Sequence, residues 1–154
     1  MDDFMKIAID ESKIGISTKE GGPFGAVIIY NGNVIARGHN RVVSSKDPTA
    51  HAEIVAIREA CKILNRFDLS DCTLYTTCEP CPMCYGAIHW ARIPIVVYGA
   101  TRQDAADIGF DDNLLYELLA GKLTDTQLTL KQIDREACME VFEIYRNDEN
   151  RTPY

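Results

Sequence analysis

The stretch CTLYTTCEPCPMCYGAIHWARIPIVVYGA, residues 72–100, decides the fold. CTLYTT is rich in β-branched and aromatic residues and reads as a strand. CPMCYGAIHWAR reads as a helix. IPIVVYGA is nearly continuous in apolar residues, as expected of a strand covered on both faces. The same stretch spaces Cys78, Cys81 and Cys84 evenly, which gives two overlapping C-x-x-C pairs. They could form a disulfide, a redox pair, a structural metal site or a catalytic one.

The chain on either side repeats the alternation of elements. Residues 2–18 place Phe4, Ile7, Ala8 and Ile14 at helical spacing. FGAVIIY and NVIARGHN then flank Asn31-Gly32, a strong hairpin signal because both turn residues must tolerate positive φ. SSKDPTAHAEIVAIREACKIL reads as a loop, a cap and a long helix. Beyond residue 100 the pattern predicts a helix near NLLYELLAG, a short strand near LTLKQI and a last helix from about Arg135. A hairpin followed by alternating strands and helices predicts an α/β domain, with a mixed sheet between helix layers.

The chain has 154 residues, enough for one domain with a real core. No run approaches the roughly 20 apolar residues of a membrane helix. The acidic start MDDFMKIAIDESK lacks the apolar region of a signal peptide, so a cytoplasmic protein without membrane contact is expected. Net charge is −7, and the basic residues form no cluster that would track a phosphate backbone, which argues against a nucleic-acid partner. In a reducing compartment, clustered cysteines point to metal or redox chemistry rather than to a disulfide framework. Cys61, Cys72 and Cys138 stand apart and read as small hydrophobes.

Thirty residues before Cys81 stands His51, and two residues after it Glu53. H-x-E followed by P-C-x-x-C is the zinc deaminase signature. Cys81 and Cys84, at i and i+3 of a helix start, bring their sulfurs to one side, where the helix N-terminus favours thiolate. His51 and Glu53 diverge by about 200° on a regular helix, so they share a site best at the helix mouth. Two thiolates and one imidazole leave tetrahedral Zn²⁺ an open position, the mark of a catalytic site. Glu53, close by without ligating, would then act as proton shuttle. A structural zinc site would need a fourth ligand, for which Cys78 is the available thiol. His39 and His89 read as ordinary, partly buried imidazoles.

HAE with PCPMC resembles the motif pair of the cytidine deaminase-like superfamily. GGPFGAVI, DPTAHAE, CEPCPMCYGAIHWAR, DAADIGFDD and the terminal tyrosine make most of the chain similar to the small bacterial guanine deaminases. The resemblance implies a three-layer α/β/α sandwich with a central mixed five-stranded sheet and one Zn²⁺ per subunit. It also implies a homodimer in which a C-terminal segment, about 134–154, is exchanged between subunits. By that resemblance His51, Cys81 and Cys84 hold zinc, and Glu53 moves protons. Asn40 and Asp112 read the purine, and Phe24 and Trp90 wall the base. Tyr154 closes the partner's pocket. The substrate implied is a purine base, guanine, deaminated to xanthine. Another aminated base or nucleoside, adenosine in tRNA, or an inactive zinc-binding interaction domain are the competing readings. Without the resemblance, NDENRTPY would read as a frayed tail, and Asp111 or Asp112 as a helix cap.

Overall fold

A computed structural model describes residues 2–154. Helix α1 (Asp3–Ser17) starts where the Asp2 carboxylate accepts the backbone N–H groups of Phe4 and Met5, at 2.9 and 3.0 Å. Strands β1 (Gly25–Tyr30) and β2 (Asn33–His39) form the hairpin. Its turn has positive φ at both Asn31 (49°) and Gly32 (74°), as the sequence requires. A short helix α2 (Val42–Ser45), unforeseen in the sequence, leads to α3 (Ala52–Leu64). Then come β3 (Cys72–Cys78), α4 (Pro82–Trp90) and β4 (Ile95–Ala100). Helices α5 (Arg102–Asp107), α6 (Asp112–Leu119) and α7 (Arg135–Asn147) complete the chain.

The sheet runs in the order β2-β1-β3-β4. Strand β1 is antiparallel to both β2 and β3, whereas β4 is parallel to β3, so the sheet is mixed. Alternation along β1 divides the core. Ala26 and Ile28 point to α3 and α4, where Ala52, Ala56, Ala60 and Ile88 pack. Val27 and Ile29 point to α1, with Ala8, Phe4 and Ile7. Helices therefore cover both faces in an α/β arrangement. At Gly25 the α1 backbone comes so close that a Cβ would lie 2.0 Å from the Ala8 carbonyl oxygen.

Three expectations need correction. The sheet has four strands among the described residues, not five. The segment LTLKQI, 128–133, forms no strand, because no neighbour of its own chain offers it a ladder. Strand β4 is consequently the sheet's edge, and it is not covered on both faces: Ile95 is 54 % exposed and Tyr98 49 %. Helix α7 buries no residue, and its apolar Val141, Phe142 and Ile144 all face solvent.

Candidate active site

The two helix starts α3 and α4 converge beside the end of β3. His51 is the N-cap of α3 in an extended conformation (φ −68°, ψ 157°), and Glu53 lies in the first turn. Cys81 is the N-cap of α4, where its Sγ accepts the Cys84 N–H at 3.5 Å, and Pro82 opens the helix. His51 Nδ1 stands 3.5 Å from Cys81 Sγ and 3.6 Å from Cys84 Sγ. One ligand atom from each of the three lies within 4.8 Å of the others, so the trio could hold a metal ion.

The spacing fits zinc. Metal–sulfur bonds of about 2.3 Å and metal–nitrogen bonds of about 2.0 Å, held tetrahedrally, put S and N roughly 3.5 Å apart. Without a metal, the two thiols share protons unequally. The neighbouring Cys84 side chain, then the His51 imidazole, pulls Cys81 down to about 4. The Cys81 thiolate in turn pushes Cys84 up, and burial adds to it. His51 is raised, chiefly by its contact with Cys81, against the opposing effect of burial. The close contact of the two sulfurs thus favours thiolate at one of them, the form that binds a cation.

Glu53 is buried against the cluster. Its Oε1 accepts the Thr76 hydroxyl at 3.0 Å, and its Oε2 accepts the Cys84 thiol at 3.4 Å. Burial raises its carboxyl above the usual range, although the Thr76 hydrogen bond opposes the shift. Such a group exchanges a proton more readily near neutrality than an exposed glutamate. Cys78 ends β3 in the same wall, but its Sγ turns to the Thr101 carbonyl at 3.6 Å, and burial pushes the thiol up to about 11. It stands outside the three-residue cluster.

A cavity of about 280 Å³ opens over His51, Glu53 and Cys81. Phe24 and Phe110 form one wall, edge to face with centroids 4.9 Å apart. Asn40 lines the cavity, and its Oδ1 accepts the Val42 N–H at 3.1 Å, so its amide nitrogen is the group left for a ligand. The two adjacent aspartates divide their work. Asp111 caps α6 by accepting the Leu114 N–H at 3.1 Å, while Asp112 faces the cavity with its carboxyl raised by burial.

Trp90, expected to wall the base, stands outside the cavity of its own chain, as does Tyr154, which was expected at the partner's pocket. Trp90 is 70 % exposed and Tyr154 71 %, and neither lines the cavity of its own chain. They lie against each other on the outer surface, centroids 6.0 Å apart, Trp90 being the last residue of α4, at the end opposite Cys81. The partly buried reading fails for His89, which is exposed beside Tyr85. His39 is buried, between two glutamates. Thr76 and Phe110 were missed in the sequence. Nothing local marks Thr76 as the partner of Glu53, and Phe110 sits inside GFDD as its only large apolar residue.

These features define a class. The family model described as the cytidine and deoxycytidylate deaminase zinc-binding region matches residues 1–100, and the chain belongs to that family of zinc-dependent deaminases. Within it, the chain is 46 % identical to the guanine deaminase of Bacillus subtilis over 98 % of its own length and 97 % of the relative's. The X-ray structure of that B. subtilis enzyme superposes with a TM-score of 0.93 at 45 % identity, over 100 % of this chain and 99 % of the other. The B. subtilis tRNA-specific adenosine deaminase is 45 % identical over 74 % of this chain and 70 % of its own.

Proposed function

We propose that the protein deaminates guanine hydrolytically, converting guanine and water to xanthine and ammonia. The observation that carries this reading is one small cavity that unites the His51, Cys81 and Cys84 cluster with Glu53, Asn40 and Asp112. The likeness to the B. subtilis guanine deaminase, over 98 % of the chain, also takes in GFDD, beyond the residues that the family model matches.

His51, Cys81 and Cys84 would hold the ion. Zinc, when bound, supplies a water acidic enough to lose its proton near neutral pH. Glu53 accepts that proton and delivers it to a ring nitrogen of guanine, N3, which makes C2 electrophilic. Once the water-derived oxygen has bonded to C2, Glu53 takes that oxygen's remaining proton and delivers it to the amino nitrogen, the C2–N bond breaks and ammonia leaves, so one carboxyl serves as base and as acid. Its burial and its Thr76 contact keep it in one place for both steps. The Asn40 amide donates to the imidazole side of the purine, and Asp112 accepts from the guanine edge. Phe24 and Phe110 press on the ring.

Residues 1–154 act as a single deaminase domain in a cytoplasmic homodimer that exchanges its C-terminal segment. The exposed edge of β4, the unpaired 128–133 segment and the apolar exposed face of α7 support that exchange. On this reading the partner's 128–133 segment becomes the fifth strand, beside β4. Trp90 and Tyr154, paired outside their own cavity, wall the partner's.

An ammonia-release assay with guanine, guanosine, cytosine and adenine, together with inosine detection in tRNA, tests the assignment. Xanthine from guanine is the expected outcome. Guanine left intact while tRNA gains inosine would overturn it; the net charge of −7 weighs against that partner.

A further inference from the structure

His39 takes no part in the chemistry above, yet it is buried with both ring nitrogens facing carboxylates. Nδ1 lies 3.2 Å from Glu11 Oε2 on α1, and Nε2 lies 2.6 Å from Glu20 Oε2 in the loop before β1. Each ring nitrogen thus has a carboxylate oxygen within hydrogen-bonding reach, so one imidazole links α1 to the loop before β1.

Glu20 passes this restraint on to the cavity. The Thr18 hydroxyl donates to its Oε2 at 2.9 Å, and its carboxyl is held below the usual range, first by the His39 contact. Its backbone carbonyl accepts the N–H groups of Val43 and Ser44, at 3.0 and 3.1 Å, which fixes the start of α2. The next residue, Gly21, lies directly on Asn40: a Cβ there would stand 2.1 Å from Asn40 Oδ1. Asn40 itself follows His39 in the chain, and its N–H donates to the Phe24 carbonyl at 3.0 Å. The segment from Glu20 to Phe24 is therefore fastened at its base by His39, and its far side is cavity wall.

We propose that His39, bridging Glu11 and Glu20, is a positioning residue that holds the 20–24 loop against Asn40 and the start of α2, and thereby sets how tightly the cavity grips its substrate. Only the identity of that substrate rests on the guanine reading.

The full-length zinc-loaded protein tests this with His39→Gln and Glu20→Ala, each set against Glu20→Gln, which keeps an acceptor for His39 Nε2. With guanine, His39→Gln and Glu20→Ala should raise KM roughly tenfold or more, with kcat within about twofold of the parent and zinc content unchanged. Glu20→Gln should recover most of that loss. Backbone amide exchange at Val43 and Ser44, followed without substrate, should accelerate in the first two variants and stay near the parent rate in the third. Glu20 is partly exposed, so its pair of variants decides the matter even where His39→Gln folds poorly. A parent-like KM in Glu20→Ala, or unchanged exchange at Val43 and Ser44, overturns the proposal. A parent protein inert toward guanine overturns the functional reading alone, because the exchange measurement still decides the clamp.

Discussion

At the scale of single residues, substitutions separate the proposed metal ligands from the proposed proton carrier. Cys81→Ala or Cys84→Ala should leave a folded protein without stoichiometric zinc by elemental analysis, whereas Cys78→Ala should retain it, since Cys78 turns to the Thr101 carbonyl. Glu53→Gln should keep its zinc and lose on the order of 10²- to 10⁴-fold in kcat, the range of a positioned acid–base group. Zinc affinity should rise with pH. Cys84 is held protonated by the Cys81 thiolate in the metal-free cluster, so binding must expel that proton, and titration in weakly buffered solution should record its release. His51, Glu53, Cys81 and Cys84 were legible in the sequence because metal ligation forces fixed residue types to fixed spacings at helix starts. Thr76 was not. Its link to Glu53 spans 23 positions and exists only once β3 lies beneath α3.

At the scale of elements, tight approaches dictate stability. Gly25→Ala would drive a methyl group into the Ala8 carbonyl and push α1 off the sheet, and a loss of about 1 to 3 kcal/mol in denaturant unfolding is expected. Asp111→Ala should cost about 1 kcal/mol through the lost cap of α6, and the attendant movement of Asp112 should appear as weaker guanine binding. The hairpin was readable because Asn31-Gly32 admits few backbone solutions. Strand β4 misled for a physical reason: a continuous apolar run signals burial, but not by which chain. LTLKQI carries the alternation of a strand and still finds no ladder in its own chain, because register requires a neighbour that local sequence cannot name.

At the scale of the whole molecule, the proposed exchange makes each cavity the joint product of two chains. Mixing Glu53→Gln chains with chains lacking Tyr154, followed by unfolding and refolding together, should restore activity that neither possesses alone. Hybrid dimers would hold one cavity with both an intact Glu53 and a partner's Tyr154. Removal of residues 134–154 should leave smaller particles in analytical ultracentrifugation and a sheet edge prone to aggregate. Helix α7, with no buried residue of its own, has a further consequence for how the protein comes into being. A newly made chain forms four strands alone but must meet a sibling before the fifth strand and that helix have anywhere to dock. Maturation on this scheme is a second-order process, so in dilute refolding the half-time for active enzyme should lengthen in proportion as protein concentration falls.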